Sequence, residues 1–165
     1  MRRAIIYILL LFTLWGCGIY SFSGTSIAPD VLSILVATIE NRALHVNPQL
    51  SNALTEALKE KYRRQTKLKL VNDQGDLEVE GEITGYESTA IAVTAQEIAS
   101  QNRLTVTVKI SFSNHKYPKE NFEKRYAAFE DFPSTSSLDA VEGTLIDAIV
   151  EKLTEQIFND TVANW

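Results

Sequence analysis

The chain has 165 residues, of which 45% are hydrophobic and 22% charged, and carries a net charge of −5 at neutral pH. That length suits one domain with a packed core. The negative balance argues against nucleic acid as a partner, whose binding needs a clustered basic face, and the single cysteine, Cys17, excludes an intramolecular disulfide.

Residues 1–16 read as a signal peptide. Arg2 and Arg3 form the charged start, Ala4 to Trp15 an apolar run, and Gly16 a small residue before the cut. The run falls short of the roughly 20 apolar residues that a membrane-crossing helix needs, so it reads as an export signal and not as a permanent span. Cys17 follows directly, and Leu14-Trp15-Gly16-Cys17 resembles the bacterial lipobox, although Trp15 is larger than the residue usual there. That resemblance implies cleavage after Gly16 and lipid attachment at Cys17, with palmitate-like chains whose buried methylenes hold the protein on a membrane at about 0.8 kcal/mol each. Gly18, in place of the aspartate that retains lipoproteins in the inner membrane of well-studied Gram-negative systems, implies the outer membrane. Residues 17–29, rich in glycine and serine, read as a lipidated tether, and residues 30–165 as a single α+β domain.

Within that domain Val31 to Ile39 has the β-branched content of a strand. Asn47 and Pro48 then supply a helix cap and a first-turn proline, and Leu50, Leu54, Leu58 and Tyr62 recur every four residues, which predicts the first helix. Lys59, Lys61, Arg63 and Arg64 crowd its last turns; the negative end of the helix macrodipole accounts for them without an anion site. Leu68 to Val71 predicts a short strand, closed by the turn residues Asn72 to Gly75. Leu77, Val79, Gly81 and Ile83 then alternate with Glu78, Glu80 and Glu82. Such a period describes a half-buried strand, and its acidic row is the wet side of a sheet, not a metal site.

Tyr86 to Asn102 is expected to extend this strand and the next, turning near Ala95 to Ile98. Leu104, Val106, Val108, Ile110 and Phe112 alternate with polar residues in the clearest strand of the chain, and Asn114 to Lys119 turns it into another that carries Phe122, Tyr126 and Phe129. Ser136 and Asp139 form a candidate capping box. Leu138, Val141, Leu145, Ile149, Leu153 and Ile157 predict a long second helix. The expected architecture is a two-layer α+β sandwich, with two helices on one face of a largely antiparallel sheet of four or five strands.

Catalytic chemistry finds no candidate. His45 and His115 fall in loops without a nucleophile or metal-ligand spacing beside them, and the chain lacks both a phosphate-cradling glycine loop and a Gly-x-Ser-x-Gly elbow. No cofactor is expected. The pattern reads as a binding or assembly module.

Several segments together carry a family resemblance: Cys17 to Gly24, Val46 to Ser51, Gly75 to Tyr86, Asn102 to Val108 and the closing Val162 to Trp165. In their order and spacing the chain resembles the lipopolysaccharide-assembly lipoproteins of the LptE type, particularly the form of the Bacteroidetes. The resemblance implies a non-enzymatic outer-membrane lipoprotein, seated in the lumen of a large LptD-type β-barrel that it helps to fold and to insert lipopolysaccharide. It assigns no lipid-contacting residue. By charge chemistry alone, Lys109 and Arg125 are the cations to test against lipid phosphates. The same element order also suits a periplasmic regulatory lipoprotein, such as a peptidoglycan synthase activator or a CsgG-like secretion component.

Overall fold

The computed structural model describes residues 27–44, 47–91 and 101–162. Cleavage at Gly16, lipid attachment at Cys17, His45, the turn near Ala95 to Ile98 and the last three residues all lie outside the described residues. Along the chain come β1 (Ser33–Val36), β2 (Glu40–Asn41), α1 (Pro48–Gln65), β3 (Lys69–Val71), β4 (Leu77–Ile91), β5 (Gln101–Asn114), β6 (Phe122–Pro133) and α2 (Leu138–Val162). They form one six-stranded sheet in the order β3-β1-β4-β5-β6, with β2 also paired to β4.

The expected two-layer α+β sandwich is present and its sheet is largely antiparallel; one expectation about the strands needs correction. The single strand expected over Val31 to Ile39 is two strands. Val36 faces Val79 while Glu40 faces Glu82, so the β1–β2 segment spends one residue more than β4 over the same stretch. The backbone groups freed by this bulge are taken by α1: Thr55 Oγ1 accepts from the Ile39 amide at 3.0 Å, and Ser51 Oγ donates to the Ile39 carbonyl at 2.6 Å. Thr55 is buried for that reason.

One side of the sheet is parallel. β4, β5 and β6 form an antiparallel meander, but β1 runs parallel to both β3 and β4, and β2 parallel to β4. The β1–β3 pair is parallel because α1 is a helical crossover that returns the chain to the starting end of β1, so that β3 runs the same way.

Helix α1 forms as its sequence dictates. The Asn47 side chain accepts from the amides of Gln49 and Leu50, Pro48 opens the first turn, and Leu50, Leu54, Leu58 and Tyr62 are all fully buried. Its basic residues are matched by carboxylates: exposed Arg63 and Arg64 pair with Glu60, and half-buried Lys59 and Lys61 with Glu56 and with Glu155 of α2. In α2, Leu145, Ile149, Leu153 and Ile157 are buried as their spacing predicts, while Leu138 and Val141 only edge the core. Ser137, whose carbonyl accepts from Ala140, stands at its start; the capping box expected from Ser136 is not formed among the described residues.

Both helices cover the same sheet face. The core takes Leu77, Val79 and Ile83 from β4, alternate residues from Leu104 to Phe112 of β5, and Tyr126, Ala128 and Phe132 from β6. In β4 the register against β5 slips by one residue at Thr84, between the pairs Ile83–Val108 and Gly85–Thr107. That slip turns Tyr86 inward, where its hydroxyl donates to Glu142 of α2.

The bare face of the sheet as a candidate binding site

With both helices on one side, no layer covers the other face of β4, β5 and β6 among the described residues. Parity decides what it presents. The odd residues of β5 and β6 point there, as do Glu78, Glu80 and Glu82 of β4. Expected as a wet face, the acidic row is half-buried to exposed, and no cluster of metal-ligating side chains occurs among the described residues. His115, expected to stand alone in a loop, comes beside this row, with Nε2 3.1 Å from Glu78 Oε2.

Lys109 and Arg125, picked out by charge alone, prove to be direct neighbours. The ladder sets Glu82, Lys109 and Arg125 in one row across three strands. Like charges directly opposite in a sheet repel by roughly 0.2–1 kcal/mol, so each cation needs another outlet. Glu82 is engaged by Arg42 at 3.4 Å, and Lys109 instead reaches diagonally to Glu123, at 2.9 Å. Arg125 is exposed and forms no ion pair among the described residues. Its fork of donors can take a phosphate or carboxylate from outside in two parallel hydrogen bonds.

A shallow depression of about 500 Å³ adjoins this row, at the β1–β2 bulge, with Thr38, Glu40, Arg42, Glu82, Lys109 and Glu123 around it. Nearer the far end of β6, Arg103 lies 3.7 Å from the centre of the Phe129 ring while holding Asp131 through two hydrogen bonds of 2.7 and 2.9 Å. The Arg103 guanidinium keeps the Asp131 carboxyl below the usual carboxylate range. Phe129, 44% exposed, is thus an aromatic patch on a polar face and not a core residue. Sequence reasoning missed this Arg103–Phe129–Asp131 group and the Glu123 partner. Both follow from the β5–β6 register, which the turn between the strands sets.

The architecture is a two-layer α+β sandwich whose helices pack on one face and whose other face carries charged and hydrogen-bonding side chains. No helix among the described residues is long and apolar enough to cross a membrane. A family model for lipopolysaccharide assembly, LptE, matches residues 32–161, and the chain belongs to that family of non-enzymatic lipopolysaccharide-assembly lipoproteins. Comparison with curated protein sequences finds no match. Among solved structures, a putative neuraminyllactose-binding hemagglutinin homolog from Helicobacter pylori is 7% identical with a TM-score of 0.55, over 86% of this chain and 88% of that one. A protein from Xanthomonas campestris is 11% identical with a TM-score of 0.50, over 81% and 88%. The rare lipoprotein B from Shewanella oneidensis is 11% identical with a TM-score of 0.49, over 78% and 90%. At such identities the likeness is one of fold alone.

Proposed function

We propose that the protein is an outer-membrane lipoprotein, anchored through Cys17 after cleavage at Gly16, that sits in the lumen of a large LptD-type β-barrel and assists it in lipopolysaccharide transport. In this reading the bare sheet face, with Arg125 and Lys109 side by side, meets the phosphates of lipopolysaccharide, while the rest of the domain fills the barrel. The observation that carries it is the segregation of both helices to one face. It leaves a polar surface of Thr, Ser, Glu and cationic side chains, suited to the polar interior of a barrel. Membership of the lipopolysaccharide-assembly family supports the same reading.

The test is an affinity pull-down of the full-length protein from outer membranes in mild detergent, with mass spectrometry of what accompanies it. Stoichiometric recovery of a large lipopolysaccharide-transport barrel is the expected result. Recovery of a cell-wall enzyme or a secretion ring, with no barrel, would overturn the plug reading in favour of a regulatory lipoprotein.

A further inference from the structure

A sheet edge presents unpaired amides and carbonyls, and among the described residues this sheet has three such edges of unequal kind. On one side β3 is only three residues long. On the other, β6 runs for twelve residues but carries Lys124, Arg125, Glu130 and Asp131, ends in Pro133, and has Lys152 of α2 donating to the Phe129 carbonyl at 3.0 Å. Short length, charge and a covering side chain are the features that keep an edge from pairing. The third edge belongs to β4. β2 ends at Asn41, opposite Ile83, so from Thr84 to Ile91 β4 has β5 on one side and no strand on the other among the described residues. That stretch is about 27 Å long at roughly 3.4 Å per residue, and Glu87 is its one charge. It has none of the protection that the other two edges carry.

Register fixes which of its groups are open. The Val79 and Ile83 carbonyls accept from the Ala37 and Arg42 amides, both at 2.9 Å, so the odd residues of β4 up to Ile83 turn their backbone groups toward β1 and β2. The slip at Thr84 shifts that parity by one. Tyr86, Ser88 and Ala90 therefore turn amide and carbonyl to the open side, while Glu87 and Thr89 bond to β5. A row of alternating donors and acceptors is matched by another extended backbone. Charge beside it is one-sided. Glu87 and Asp139 are exposed with no ion pair among the described residues, and Glu142 accepts from the Tyr86 hydroxyl. The cations at hand are taken, Arg42 by Glu40 and Glu82, and Arg103 by Asp131.

We infer that the Thr84–Ile91 edge of β4 takes an added strand from the barrel, a loop segment that enters the lumen and sets a lysine or arginine beside Glu87. The inference rests on the barrel reading above. The wall itself cannot supply the strand, because a closed barrel pairs every wall strand on both sides. Backbone bonds at this edge would fix how the domain is turned in the lumen and leave the bare sheet face open to lipopolysaccharide.

The test places proline on each parity of the edge in the full-length protein. Ser88→Pro loses only an amide that faces the open side and should melt with the parent chain, whereas Thr89→Pro loses a bond to β5 and should melt lower. The parent, Ser88→Pro and a chain with p-benzoylphenylalanine in place of Ser88 are then pulled down from outer membranes in mild detergent. Expected are a roughly tenfold loss of co-purified barrel for Ser88→Pro, the equivalent of one backbone hydrogen bond at the upper end of its net worth, and a photo-cross-link from position 88 to a barrel loop. Barrel recovered equally by the parent and Ser88→Pro, or recovered without a cross-link from position 88, overturns the inference and leaves the plug reading standing. A cross-link to a second copy, or Ser88→Pro melting as low as Thr89→Pro, also overturns it, because the edge then pairs with something else. A parent chain that brings down no barrel sinks the plug reading itself, and this inference with it.

Discussion

Tyr62 of α1 and Thr161 of α2 form one hydrogen bond whose two halves should not be equal. The Tyr62 side chain is fully buried, and its hydroxyl lies 2.7 Å from Thr161 Oγ1. Thr161 Oγ1 also lies 2.9 Å from the Ile157 carbonyl and 3.1 Å from that of Phe158, so its proton has an acceptor within its own helix and Tyr62 acts as donor to it. Tyr62→Phe therefore removes a hydroxyl and strands nothing. Its cost is the net value of one hydrogen bond, about 0.5–1.5 kcal/mol. Thr161→Val leaves the Tyr62 hydroxyl buried without a partner, which costs about 1–3 kcal/mol. The double variant strands nothing and should cost less than the sum of the two single changes. Urea unfolding followed by far-UV circular dichroism, with unchanged m-values, measures all three. Costs that are equal, reversed in order, or strictly additive would refute the reasoning.

Further expectations concern the sheet and its titrating groups. Arg125→Glu should place opposite charges across the Lys109 pair, raising stability by roughly 0.2–1 kcal/mol in urea unfolding while weakening lipopolysaccharide binding; parallel loss of both would mean that Arg125 serves the fold instead. In Gly81→Ala the new Cβ meets both Ile110 Cδ1 and the Lys109 carbonyl at 2.6 Å, and backbone cannot yield as a side chain does. A loss of about 1–3 kcal/mol is expected, and a melting temperature equal to that of the parent chain would contradict it. Asp76 is held below its ordinary pKa by the Leu32 and Ser33 donors and by Lys116. Its contribution is therefore present above the unfolded value of 3.8 and lost as pH falls through the folded one, so Asp76→Asn should flatten the acid limb of a stability–pH curve. Burial raises Tyr62, Tyr86 and Tyr126 above the ordinary tyrosine value of 10.0. The unfolded chain then ionises first, and thermal melts should show stability falling as pH rises past that value. Cys17→Ser should abolish lipid modification, read by intact mass and membrane fractionation.

By itself the sequence determined what depends on near neighbours along the chain. The cap at Asn47, the proline after it and the four-residue period of Leu50 to Tyr62 specify α1 because helix bonds close within a turn. The strict alternation from Leu104 to Phe112 specifies β5 and its buried face in the same way. Even the solvated reading of the basic residues of α1 was available locally, since Glu56 and Glu60 stand three or four residues from their partners.

Tertiary structure decided what depends on register. One extra residue before Glu40 breaks the expected first strand, and one at Thr84 turns Tyr86 into the core; neither carries a local signal strong enough to read, because a bulge is an agreement between two strands. Lys109 and Arg125 are sixteen positions apart in the sequence, and only the β5–β6 ladder makes them neighbours, with no carboxylate paired to Arg125 among the described residues. The same ladder moves Phe129 onto the bare face, whereas Tyr126 goes inward: side chains three apart on a strand point to opposite sides, and which side is buried is set by where the helices pack.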